Sequence, residues 1–247
     1  MHMSLQSRLA HPCFPQPENP NVSVWRYMDL SRFIWLLSKR ELYFTRLDRL
    51  QDPFEGSSTR KTIDGLRLVL EQIGLPDVLN NLMALYRESR TTMYVNCWYC
   101  GDSESEAMWK LYCPNGNGVA IRCSYSQLAQ SVAADEQVYI GCITYIDHEK
   151  HAFRDSNIFF PVMHKRVAFS HEHEVRLVKQ VEKVKDTDQP LGVTIKWDPM
   201  EHVSAVFVDP YAAEYHFQAV SAILNSLSPG WSVPLNWSQI KATPVFE

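Results

Sequence analysis

Apolar residues recur along this chain with two spacings, two and between three and four, and the switches from one to the other mark its elements. Met93 to Cys100 (MYVNCWYC) is dense in β-branched and aromatic residues between polar flanks, the pattern of a buried strand. Ser103 followed by Glu106 has capping-box spacing, which predicts a helix from near Glu104 with Met108, Trp109, Leu111 and Tyr112 on its apolar face. Pro114-Asn115-Gly116-Asn117-Gly118 tolerates positive φ and ends that helix, and Val119 to Cys123 reads as the next strand. Upstream, Val22 to Met28 alternates as a strand. Asp29 or Ser31 caps a helix whose apolar positions are Leu30, Phe33, Ile34 and Leu37. Glu41 to Thr45 is a short strand running into a charged loop, 46–56, fixed by Pro53 and Gly56. There Asp52 is expected to cap a turn and Phe54 to plug the edge of the core.

Two helices are predicted next, Asp64 to Ile73 and Asp77 to Glu88, each with a leucine-rich stripe that reads as core packing. Ser126 to Ala133 looks helical, and Gln137 to Ile146 alternates as one strand with its tyrosines on one face. Val162 to Phe169 suits a short helix carrying Lys165. In His171 to Val178, period-two alternation puts Glu172, Glu174 and Arg176 on one face of a strand, with Val175 and Leu177 on the other. Residues 181–192 read as a solvated hairpin connection, followed by strands at Val193 to Trp197 and Val203 to Val208. Ala212 to Leu227 is an amphipathic helix through Tyr215, Ala219, Ile223 and Leu227, and Trp231 to Trp237 an edge segment. Residues 1–21 lack a period and are expected to form an irregular N-terminal arm, with 22–247 as a single domain. Strands and helices interleave without strict alternation. The expected fold is therefore α+β, with a mixed or antiparallel central sheet and peripheral helices.

Composition narrows the function classes. A chain of 247 residues, 45% hydrophobic and 12% aromatic, can bury a full core. Its formal charge of −4 argues against extended nucleic-acid binding by phosphate neutralisation. No apolar run approaches the roughly 20 residues of a spanning helix. A cytoplasmic protein without a membrane partner is expected. The six cysteines are irregularly spaced, and Cys97-Trp98-Tyr99-Cys100 lacks the second ligand pair that zinc requires, so no metal site is expected and small buried hydrophobes are the better reading.

Several stretches together resemble the bacterial domain of unknown function 2971 family: VWRYMDLSRFIWLLSKRELYFTRLDRLQDPFEG, VNCWYCGDSESEAMWKLY, NGVAIRCS, VYIGCITY, HKRVAFSHEHEVRLV and AVFVDPYA. The likeness covers most of the chain after about residue 22. Its most specific pieces are Asp52-Pro53-Phe54-Glu55, Cys97-Trp98 with Met108-Trp109 and Tyr112, and Glu174-Val175-Arg176. Leu50-Gln51 stands where Phe-Asn is usual, and Tyr99 where Ser is usual. The resemblance implies a bacterial α+β protein and leaves the reaction open.

Two chemistries compete with a purely structural role. Glu172-His173-Glu174 is similar to the Glu-x-Glu strand of arginine-directed ADP-ribosyltransferases. That likeness implies an NAD-using transferase or glycohydrolase, with NAD as substrate. Glu174 would stabilise the ribosyl cation electrostatically, Glu172 would orient the acceptor and Arg26 would grip phosphate. The middle Ser-Thr-Ser strand of such enzymes is missing, with Thr45 and Asn96 to Tyr99 as weak substitutes. The second possibility is a phosphate or nucleotide pocket built from Lys165, Arg166, Arg176 and the Asp52 to Glu55 loop. It would serve a phosphate-directed hydrolase, or a non-catalytic module binding a small nucleotide or a protein. Trp98, Trp109 and Tyr112 would stack on a base in either case, or else belong to the core. A strand in which Glu174 and Arg176 simply pair with cross-strand partners is the structural alternative.

Overall fold

The computed structural model describes residues 4–135, 137–154, 156–183 and 189–244. Its strands are β1 (Ser23–Asp29), β2 (Glu41–Arg46), β3 (Met93–Cys100), β4 (Gly118–Ser124), β5 (Val138–Cys142), β6 (Thr144–Ile146), β7 (His164–Arg166), β8 (Glu174–Gln180), β9 (Gly192–Lys196), β10 (Ala205–Val208) and β11 (Leu235–Trp237). Its helices are α1 (Leu5–Leu9), α2 (Leu30–Lys39), α3 (Arg60–Gln72), α4 (Pro76–Thr92), α5 (Glu106–Tyr112), α6 (Tyr125–Ser131), α7 (Phe159–Val162), α8 (Pro199–His202) and α9 (Glu214–Leu227). The fold is α+β with a mixed sheet, as the pattern predicts: β10 pairs parallel with β11 and antiparallel with β4. The chain passes repeatedly between two compact units, one drawn from 1–16, 43–96 and 135–193, the other from 17–42, 97–134 and 194–247.

The unit containing β4 is built around that strand. β1 pairs with it from Ser23↔Ser124 to Asp29↔Gly118, and β10 from Ala205↔Arg122 to Val208↔Val119. Trp25, Tyr27, Ala120 and Phe207 pack against Met108 and Trp109 of α5. Asp29 caps α2 by accepting from the Arg32 N–H at 2.8 Å. The cap of α5 falls on Ser105, two residues after the predicted Ser103. Ser105 Oγ accepts from the Met108 N–H, and its own N–H donates to Tyr27 Oη at 2.9 Å. Glu104 stands outside the helix because Trp109 Nε1 and the Gln239 N–H both donate to its carboxylate. Gly118 has no room for a side chain, since a Cβ there would stand 2.2 Å from Cys113 Sγ. Helix α9 buries His216, Val220 and Leu224, one position on from the predicted stripe, and leaves Tyr215 76% exposed. His216 anchors that face through contact of its Nε2 with the Gly118 carbonyl.

In the other unit β8 pairs with β5 from Val138↔Lys179 to Cys142↔Val175, and Thr45 of β2 faces Val95 of β3. Several predictions for this unit need correction. Leu5–Leu9 is helical and Arg8 is buried, donating to the Asp135 and Val138 carbonyls, so this part of the N-terminal arm belongs to the packed structure. The strand predicted over 137–146 breaks at Ile143, whose N–H donates to the Glu174 carbonyl at 2.8 Å. Beyond the break, β6 pairs in parallel with β7, Thr144↔His164 to Ile146↔Arg166, so the helix predicted at 162–169 gives way to a strand carrying Lys165. Helix α3 starts four residues before Asp64, because Thr59 Oγ1 accepts from the Thr62 N–H. The stripes of α3 and α4 are half-buried instead of full core: Leu66, Leu70, Leu79 and Leu82 are intermediate, while Leu68, Val69, Val78 and Leu85 on the other faces are exposed. The two helices contact each other, and α4 buries Tyr86, Ser89 and Thr92 at its C-terminal end instead. The connection predicted at 181–192 lies partly outside the described residues.

Candidate functional site

The Asp52 to Glu55 loop and the start of β8 meet in one buried ion network. Arg176 is fully buried and sits between two carboxylates. Its Nε and Nη2 donate to Glu174 at 2.6 and 3.1 Å, and its Nη1 and Nη2 donate to Glu55 at 2.9 and 3.2 Å. Nη1 also reaches the Val162 carbonyl. Lys165 Nζ lies 2.6 Å from Glu172, 3.2 Å from Glu55 and 3.3 Å from Glu174. Arg166 forks onto Asp52 at 3.0 and 2.8 Å, while Asp52 Oδ1 accepts from the Phe54 N–H. Planar forks of this kind fix geometry as well as charge.

Local backbone explains how these groups converge, and it corrects the expected strand. Residues Val167–Glu172 form a 3-10 helix, His173 adopts the left-handed conformation at φ 38°, and β8 begins only at Glu174. Alternation therefore holds for Glu174 and Arg176 but not for Glu172. Glu172 reaches Lys165 because the left-handed turn at His173 redirects the chain, and His171 and His173 are left exposed. Tyr145 Oη accepts from the Glu174 N–H at 2.8 Å, holding the strand's first residue in place.

The electrostatics are those of a closed set. Burial alone would push the Lys165 ammonium down, but the Glu174 and Glu55 carboxylates outweigh it and hold it charged well above its usual range. Burial pushes Glu172 up against the pull of Lys165, with Glu174 adding repulsion. Four carboxylates here meet three cations.

Outside this set, the loop shows one face. Phe54 is 38% exposed, not the core plug expected of it. The Arg166 guanidinium lies 4.5 Å from its ring centre and the His148 ring 4.8 Å away, edge-on. Two clefts flank this stack. The larger, about 470 Å³, is lined by Phe54, Ser57, Ser58, Arg60, Arg67 and His148 among others, and the smaller, about 350 Å³, by Phe54, His148 and Arg166 among others. Ser58 Oγ and His148 Nε2 are buried without a hydrogen-bond partner among the described residues. Ser57, Ser58, Arg60, Arg67 and His148 were not singled out from the sequence. The available signal was the Ser-Ser-Thr-Arg run before α3, with Arg60 and Arg67 seven residues apart on one helical face. Among the described residues no group of His, Cys, Asp and Glu has metal-holding geometry.

The remaining candidates, Arg26, Trp98, Trp109 and Tyr112, belong to the second unit. Trp98 and Trp109 are buried there, the first against Trp197 and the second edge-on to Tyr27, so neither ring presents a face for stacking on a base. Tyr112 is exposed at the end of α5.

His164, beside the network on β7, makes a pH-dependent contribution. Burial lowers its value below the usual 6.5, His151 adds repulsion, and the Phe160 carbonyl contact opposes both. A depressed value favours the neutral ring in the folded state. Its contribution is therefore complete above pH 6.5 and is lost as pH falls through the lowered folded value. Melting temperatures measured between pH 7 and 5 should fall, and His164→Leu should flatten that fall; an unchanged slope would contradict the assignment.

No protein-family model matches this sequence, and no curated protein and no solved structure is similar enough to count as a match.

Proposed function

We propose that the chain is a nucleotide-binding module whose ligand lies in the larger cleft beside Phe54, and that the buried acids hold the binding loop instead of performing chemistry. The observation that carries this reading is the pair of unpartnered polar atoms, Ser58 Oγ and His148 Nε2, in a cleft edged by Phe54 and two arginines. A buried polar atom without a partner costs about 1–3 kcal/mol, which a ligand's hydrogen bonds remove. Phe54 offers a base an aromatic surface. Arg60, Arg67 and the Ser58 hydroxyl supply donors for phosphate next to the start of the 13-residue helix α3. Among the described residues Arg60 and Arg67 are held by exposed pairs with Asp64, which are weak and easily exchanged.

The NAD-using reading fares less well on the same geometry. A carboxylate that is to stabilise a ribosyl cation must face it, and both Glu174 oxygens already accept from Arg176 while Lys165 compensates the charge. The test is calorimetric titration with the nucleoside diphosphates of the four common bases and with NAD. At least one should bind, and Phe54→Ala should weaken it roughly tenfold, given about 1–3 kcal/mol per stacked base. No binding at millimolar ligand, or equal binding by Phe54→Ala, would end this reading.

A further inference from the structure

Arg26 occupies the middle of β1, opposite Ile121 of β4, on the strand face it shares with the buried Val24 and Met28. A guanidinium placed among apolar neighbours needs counter-charge or hydrogen bonds, because burying an uncompensated ion costs several kcal/mol. Other buried cations of this protein meet that need: Arg176 and Lys165 through carboxylates, Arg8 through main-chain carbonyls. Arg26 does not. Its Nη1 is sealed from solvent and has no hydrogen-bond partner among the described residues. One flank is covered by Trp98, whose ring centre is 5.9 Å from the guanidinium carbon. The ionisable groups whose influence reaches it are Cys97, Arg32 and Tyr112, and no carboxylate is among them. Burial lowers the Arg26 value to about 10, still leaving it charged at neutral pH. The residue as a whole is only partly buried, so an edge of it stays within reach of solvent.

We propose that Arg26, backed by the Trp98 ring, seats an oxyanion, the carboxylate or phosphate group of a small ligand, which supplies the counter-charge that the described residues do not. The planar fork of an arginine donates two parallel hydrogen bonds to either group, and the nearby indole face favours the cation. The inference is independent of the nucleotide reading, whose residues all belong to the other unit.

The experiment is a thermal melt of the full chain in increasing sodium phosphate and, separately, sodium acetate, with sodium chloride at matched ionic strength as the control. The wild type should show a saturable rise of roughly 5–10 °C at a hundred times the dissociation constant. Whichever anion produces it identifies the head group. Arg26→Met should abolish the shift, and without anion it should melt at or above the wild-type temperature, since it removes an uncompensated charge. A phosphate shift that survives Arg26→Met but vanishes in Arg60→Gln would assign the anion to the Phe54 cleft and overturn the proposal. So would the lack of a saturable shift with either anion, or an Arg26→Met chain that melts well below the wild type or fails to fold in anion-free buffer.

Discussion

Replacing Arg176 with methionine is expected to lower the melting temperature by roughly 10 °C or more, the scale set by about 3–5 kcal/mol for breaking a buried ion pair from one side in a chain of this size. The loss comes less from the interactions removed than from the charges left behind. Glu55 and Glu174 would remain buried with Lys165 alone to compensate both. The same logic predicts strong non-additivity. Arg176→Met combined with Glu55→Gln and Glu174→Gln should melt higher than Arg176→Met alone, since the stranded acids go with their partner. Thermal denaturation of the four single and combined variants checks this. A near-neutral Arg176→Met would mean that the network does not hold the loop.

Trp109→Ala should be comparably damaging, at about 3–5 kcal/mol, because the ring is fully buried against Tyr27 and its Nε1 donates to Glu104. Trp109→Phe keeps much of the volume and loses that hydrogen bond, so it should fall in between. Chemical denaturation of both variants measures the difference. Had the ring been a stacking platform for a ligand, the alanine variant would keep its stability and lose binding; that outcome would contradict the core assignment.

Much of the fold is legible in the sequence where local and tertiary signals agree. Met93–Cys100 is found at its predicted bounds, Val119 to Cys123 lies within β4, and Asp29 caps α2 as its position implies. The failures occur where a long-range partner decides. Nothing near Lys165 reveals that β6 waits to pair with it, so a segment of helical appearance becomes a strand. The α3 and α4 leucines follow a core-like period and do face inward, yet periodicity records only that two faces differ and not how deeply one is covered, and these stay half-buried. Glu172 and Glu174 do converge with Arg176, as proposed from alternation, but through the left-handed turn at His173, which no hydrophobic pattern encodes. The Phe54 cleft escaped notice because its polar residues, Ser58 and His148, come from segments ninety residues apart, and only folding brings them to one cavity.

These results separate two roles for the acids at 55, 172 and 174: fastening a loop from beneath, or working on a substrate. The most direct discrimination is a time course of nicotinamide release from NAD by the wild-type chain and by Glu174→Gln, with melting temperatures recorded alongside. With every carboxylate committed to Lys165 or Arg176, release should stay at the uncatalysed background for both proteins, and Glu174→Gln should melt below the wild type. Turnover by the wild type that disappears in Glu174→Gln at an unchanged melting temperature would show the acid to be a working group, and would contradict the account.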